Sequence, residues 1–266
     1  MIDSDKSRRL INGFRIFGVL LVLAAAAAAS GDESDGPLAE WPTAELHFFR
    51  LHYSDSPAWG DYGFGGRYGH WTVDTPAAEY HFTHNIPRLT RIDVGAEERR
   101  FRLTNDAIFN YPFMYAVEVG HWYLNDEEAA RLREYLLRGG FLMVDDFHGP
   151  DEWQVFMESM TRVFPDRPVV DIPVSDPIFH AVYDLDKSVQ IPGIRPLTMG
   201  VTYEYGGKVP HWRGVYDDDG RLMVLIGHNM DLGDSWELAN DPYYPEHYTT
   251  LGFRFAVNYL IYAMTH

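Results

Sequence analysis

The chain has 266 residues, no cysteine and a formal charge of −17. Without cysteine there can be no disulfide, lipidated cysteine anchor, thiolate zinc site or thiol nucleophile. So acidic a surface repels phosphate backbones and anionic lipid, which sets nucleic-acid binding aside.

Lys6, Arg8, Arg9 and Arg15 make a basic start, and Ile16 to Ala29 is an unbroken apolar, alanine-rich run ending in small residues. A spanning helix needs roughly 20 such residues, so the pattern predicts a secretory signal over 1–29, cleaved near Ala29. The expectation is an exported protein, periplasmic or extracellular, with no stable membrane span after cleavage. Residues 30–43 are polar and glycine-containing and read as a flexible leader. Residues 44–266 are then expected to form a single α/β domain.

Glu45 to Tyr53 is aromatic and β-prone, the first predicted strand. Ser54 to Trp71 follows as a long aromatic loop, and Asp74-Thr75-Pro76 reads as a helix opening, with an acceptor side chain just before a proline in the first turn. That helix ends near Thr90; its His81 and His84 share a face and read as surface residues. Arg91 to Val94 is a further expected strand, and Glu97 to Arg102 a solvated charged patch. Pro112 to Trp122 runs as a core strand into a glycine turn, placing Glu118, His121 and Trp122 near a strand's carboxyl end. Asn125 caps a helix in which Ala129, Leu132, Tyr135 and Leu136 recur at helical spacing, with acids in its first turn.

Gly139-Gly140 stops that helix, and Phe141 to Val144 is a short apolar run that reads as a buried parallel strand returning by a right-handed crossover. It delivers Asp145, Asp146 and His148 to the sheet edge where ligands of open α/β folds collect. Pro150-Asp151 opens another helix with an apolar stripe through Val163, and Val169 to Ile172 reads as a further strand. Residues 190–215 carry no sustained period. Asp217 to Gly220 forms a hairpin tip before the strand Arg221 to Ile226, after which comes a second polar cluster containing His228, Asn229, Asp231, Asp234 and Trp236. An amphipathic helix over about 249–264 closes the domain. The fold class expected is an open, mainly parallel α/β sheet with helices on both faces.

The blocks Tyr111-Pro112-Phe113-Met114-Tyr115, Gly139 to Phe147, Arg162 to Arg167, Pro177-Ile178-Phe179-His180 and His228 to Glu237 together resemble the bacterial domain of unknown function 4159 family. That resemblance implies a relation to the class I glutamine amidotransferase-like superfamily, with a flavodoxin-like layered sheet. In that superfamily a catalytic cysteine sits on the turn after a strand like Phe141 to Val144. This chain has Asp145 and Asp146 there, so thiol chemistry is excluded whatever the fold. The resemblance implies architecture and leaves activity open.

Three readings follow from the residues. In one, the strand ends bind a small polar or carbohydrate ligand, with Glu118, His121, Trp122, Asp145, His228, Asn229, Asp231, Asp234 and Trp236 lining the site and loop aromatics, including Trp59, Tyr62, Tyr68, Trp71, Trp153 and Trp212, stacking on sugar rings. In another, Asp146, His148, His228 and Asp231 hold a divalent cation for metal-dependent hydrolysis, with Asp146 and His148 as catalytic candidates. In the third, the same groups cap helices in a scaffold with envelope protein partners. A strand alternates its faces, so Asp145 and Asp146 point apart unless the chain has turned by Asp146. The deciding geometry is whether the 228–234 loop meets the 145–148 turn.

Overall fold

Residues whose side chains are apolar on both strand faces form a sheet covered on both sides, and three segments here have that character. They are β4 (Phe113–Val117), β6 (Phe141–Asp145) and β9 (Leu222–His228), buried at every position. The computed structural model describes residues 44–59, 69–185 and 189–266. The expected signal and leader, and Tyr62 and Tyr68 of the aromatic loop, lie outside the described residues.

The remaining strands are β1 (Phe49–Leu51), β2 (Ser54–Asp55), β3 (Arg99–Phe101), β5 (Trp122–Tyr123), β7 (Val170–Asp171) and β8 (His211–Tyr216). Among the described residues, seven strands form one sheet in the order β3-β1-β4-β6-β9-β8-β7, and β2 and β5 pair separately. The β1, β3, β4, β6 and β9 pairings are parallel, whereas β8 is antiparallel to both its neighbours. β4, helix α2 (Asp126–Leu137) and β6 make the expected crossover, with Phe113 opposite Phe141 and Val117 opposite Asp145. Asn125 and Glu128 complete a reciprocal capping box at the start of α2.

Two local expectations change. Arg99–Phe101, read as solvated, is the edge strand β3 on β1, because alternate charged side chains can face solvent at an edge while the backbone pairs. Arg91 to Val94 contributes only an isolated bridge, Val94 with Leu46.

One sheet face packs against α1 (Ala77–Leu89), α5 (Leu232–Glu237) and α6 (Glu246–Thr265), through Phe82, Trp236 and Phe255 among others. The opposite face packs against α2 and α3 (Gly149–Val163), through Leu132, Leu136, Phe156 and Met160. A short helix α4 (Ile194–Thr198) lies in the segment read as irregular. Among the described residues no helix is long and apolar enough to cross a membrane.

Candidate carboxylate centre at the strand ends

Strand alternation decides where Asp145 points. Phe141 and Met143 face the α5 and α6 layer, so Asp145 does too, and its Oδ2 accepts hydrogen bonds from Leu232 N (2.7 Å) and Gly233 N (3.3 Å) at the start of α5. Asp146 has φ 52, a left-handed conformation that turns the chain out of the strand. The two loops then interlock: Asp146 N donates to Met230 O (3.0 Å), Asn229 N to Phe147 O (3.0 Å), and Gly149 N to Asn229 Oδ1 (2.9 Å). The 228–234 loop therefore meets the 145–148 turn.

At this crossing stand two groups of carboxylates that share one member. Asp74, Asp146 and Asp231 each place an oxygen within 4.8 Å of the others, and Asp74, Asp234 and Glu237 do the same. Asp231 is the N-cap of α5 and accepts from Asp234 N (2.7 Å), while Asp234 Oδ2 accepts from Ile194 N (2.6 Å). Asp74 is not the side-chain cap of α1 that its sequence pattern suggests; it has φ 65, and its buried Oδ2 has no hydrogen-bond partner. The Gly233 Cα packs directly against that oxygen and the Tyr115 hydroxyl, so a Cβ there would collide with both. Gly193 similarly packs against Asp231 Oδ2 and Asp234 Oδ2.

Burial and crowding set the electrostatics. Burial pushes the Asp74, Asp146 and Asp231 carboxyls well above the ordinary range; Asp234 adds to the effect at Asp74 and at Asp231, and Asp231 adds to it at Asp146. Burial raises Asp145 to about 7 despite the nearby Tyr115 hydroxyl and the bonds from Leu232 N and Gly233 N, which oppose it. The nearest buried cation, Arg50, has its Nε bound to Glu79 and its Nη1 donating to the carbonyls of Trp71 and Val73. The centre is thus a set of buried acids short of positive charge. It has two ways to lower its energy, by retaining protons or by taking up a cation.

The histidines have other partners. His148 Nε2 lies 3.1 Å from Asp146 Oδ1, and burial lowers the ring to about 3, so a neutral imidazole shares a hydrogen bond with Asp146 and orients it. His228 donates from Nε2 to Gly149 O (3.0 Å), and its Nδ1 faces Arg213 Nη1 at 3.4 Å. Neither belongs to a carboxylate triad. His121 stacks on His70 with ring centres 3.9 Å apart, its Nδ1 3.2 Å from Glu118 Oε2. Glu118, with φ 53, is raised well above the carboxylate range by burial and by Glu152.

Trp122 and Trp236 belong to the core and not to a stacking surface. Trp122 is 1% exposed and stacks on Phe156, and Trp236 is fully buried against Phe82 and Tyr115. Asn229 is a clamp, holding Gly149 N and donating to Val209 O (2.8 Å). Of the residues singled out from sequence, Asp146, Asp231 and Asp234 come together. Sequence reasoning missed Asp74, because an aspartate two residues before a proline is also what a helix start looks like. It passed over Glu237 as well, although the 231, 234, 237 spacing of three was a visible helical stripe.

Residues 47–264 match the family model described as Domain of unknown function (DUF4159). No curated protein matches the chain.

Proposed function

Because the chain belongs to the DUF4159 family, which is uncharacterised, we propose its function from the site alone: it binds a divalent cation through Asp74, Asp146 and Asp231 and presents it to a polar ligand at the carboxyl edge of the sheet. The observation that carries this reading is the buried, unpartnered Asp74 Oδ2 beside two further buried carboxylates. An all-oxygen donor set suits calcium, magnesium or manganese and disfavours zinc or copper. Ligands opposite one another lie about 4.6–5.2 Å apart around calcium and about 4.0–4.2 Å apart around magnesium. The triad oxygens lie within 4.8 Å of one another, close enough for one ion of this class to touch all three.

The ligand class is a small hydroxylated molecule, such as a sugar. A cleft of about 400 Å³ adjoins the loop crossing, lined by Trp153, Lys208, His211, Arg213, His228 and Asn229 among others, and gives such a molecule apolar and polar contacts. Metal-dependent hydrolysis is a second reading, favoured by Glu152, which burial raises to about 7 and so leaves able to carry or release a proton near neutral pH. A relation to the glutamine amidotransferase-like superfamily fits the open sheet and the position of the site. Export by the 1–29 signal would place the centre where calcium is abundant and thiol ligands are not needed.

The test is a thermal unfolding series on chelator-stripped full-length protein with calcium, magnesium or manganese. At a hundred times Kd, a cation stabilises by about 2.7 kcal/mol, which raises Tm by several degrees. Asp74→Asn is expected to abolish the rise while leaving the circular dichroism spectrum native. A parent protein indifferent to all three ions would overturn the proposal.

A further inference from the structure

Helix α5 carries an acidic stripe. Asp231 caps it, and Asp234 and Glu237 follow at successive intervals of three, on the side that faces α1 and Asp74. Gly233 allows this approach, since its missing Cβ leaves the room that Asp74 Oδ2 and the Tyr115 hydroxyl occupy. Asp74 therefore stands between two pairs, Asp146 with Asp231 and Asp234 with Glu237, and belongs to a triad with each.

We propose that the centre is built for two divalent cations, one held by Asp74, Asp146 and Asp231 and the other by Asp74, Asp234 and Glu237, with Asp74 bridging them. The inference rests on the cation reading above and extends it from one ion to two. A carboxylate has two oxygens with lone pairs to spare, so Asp74 can serve both ions, and the hydrogen bonds that Asp231 and Asp234 accept leave them further lone pairs. Charge supports the count. Once their protons are displaced, the five carboxylates of the two triads carry five negative charges, and the buried Arg50, which pairs with Glu79, offsets the charge on Asp74 only in part. One divalent cation would leave three negative charges in a buried site, whereas two would leave one. The unpartnered Asp74 Oδ2 is the second observation, a buried acceptor aimed into the cluster with no protein donor to satisfy it. Paired divalent ions about 3.5–4 Å apart are a common arrangement for activating water or clamping a negatively charged group.

The experiment uses manganese alone on the stripped full-length chain, measuring bound equivalents by elemental analysis and following the spin-resonance spectrum during titration. The parent is expected to bind two equivalents and to develop the spectrum of a coupled manganese pair. Glu237→Gln is expected to weaken the second equivalent at least tenfold and to leave a single uncoupled ion. Asp231→Asn is likewise expected to leave one ion, now in the other half. A parent that binds one equivalent with an affinity unchanged in Glu237→Gln would overturn the paired centre while leaving the single-ion site standing. A parent that binds none would remove both readings together.

Discussion

Arg50 is fully buried on β1, opposite Tyr115 of β4, with its guanidinium 5.1 Å from the Tyr115 ring and its Nε bound to Glu79 of α1. Removing one partner of such a pair strands the other charge in the interior, so Arg50→Met is expected to lower unfolding free energy by about 3–5 kcal/mol in urea denaturation. The double variant Arg50→Met/Glu79→Leu should recover much of that loss; equal losses in single and double variants would show that packing, not charge, is what Arg50 supplies. Glu152 makes a second residue-scale case. Burial raises its carboxyl to about 7, with Glu204 and Asp151 adding to the effect and the His148 N–H bond opposing it. The folded chain then keeps a proton that the unfolded chain releases near its ordinary pKa of about 4.3. The native state binds more protons between those values, so the stability Glu152 contributes is complete below about pH 4.3 and is lost as pH rises through about 7. Glu152→Gln has no such proton, and the stability of the variant relative to the parent should therefore improve as pH is raised from about 5 to about 8. A pH-independent difference in urea midpoints would refute this.

At the scale of elements, α5 is the part on which the centre depends. Its six residues are held by Asp145 beneath two of its first amides, by Asp231 at its cap, and by His81 of α1, whose Nδ1 lies 2.8 Å from Trp236 O. Gly233→Ala is expected to push Asp74 and Tyr115 away from the helix and to weaken cation binding at least tenfold by calorimetric titration, because the added methyl overlaps Asp74 Oδ2. Wild-type affinity in that variant would mean that Asp74 is not a ligand. Helix α2 shows the opposite situation, where local sequence is sufficient. Asn125 accepts from Glu128 N and Glu128 answers to Asn125 N, both at 3.0 Å, so its start was readable from the residues alone. No such local signal existed for β3, a charged three-residue strand whose only reason to be extended is the neighbouring β1.

For the molecule as a whole, the buried sheet separates two apolar layers, and the acids that cannot enter either layer gather where the strands end. That distribution accounts for part of an overall charge of −17: some of the acidity is solvated surface, and some is concentrated between α1, α5 and the β6 turn. Sequence alone determined the parallel crossover through β4, α2 and β6, the glycine stop before β6, and the delivery of Asp145 and Asp146 to the carboxyl end of that strand. These follow from hydrophobic period, capping chemistry and the handedness of strand connections, all of which act over a few neighbouring residues. The tertiary structure decided which of the acids meet. Asp74, Asp146, Asp231 and Glu237 are separated by up to 163 positions, and their convergence depends on the packing of α1 against α5 and on a left-handed turn at Asp146. It also assigned His228 and Asn229 to the loop crossing and Trp236 to the core, since a polar or aromatic side chain near a strand end has the same sequence signature whether it faces a ligand or the protein's own backbone.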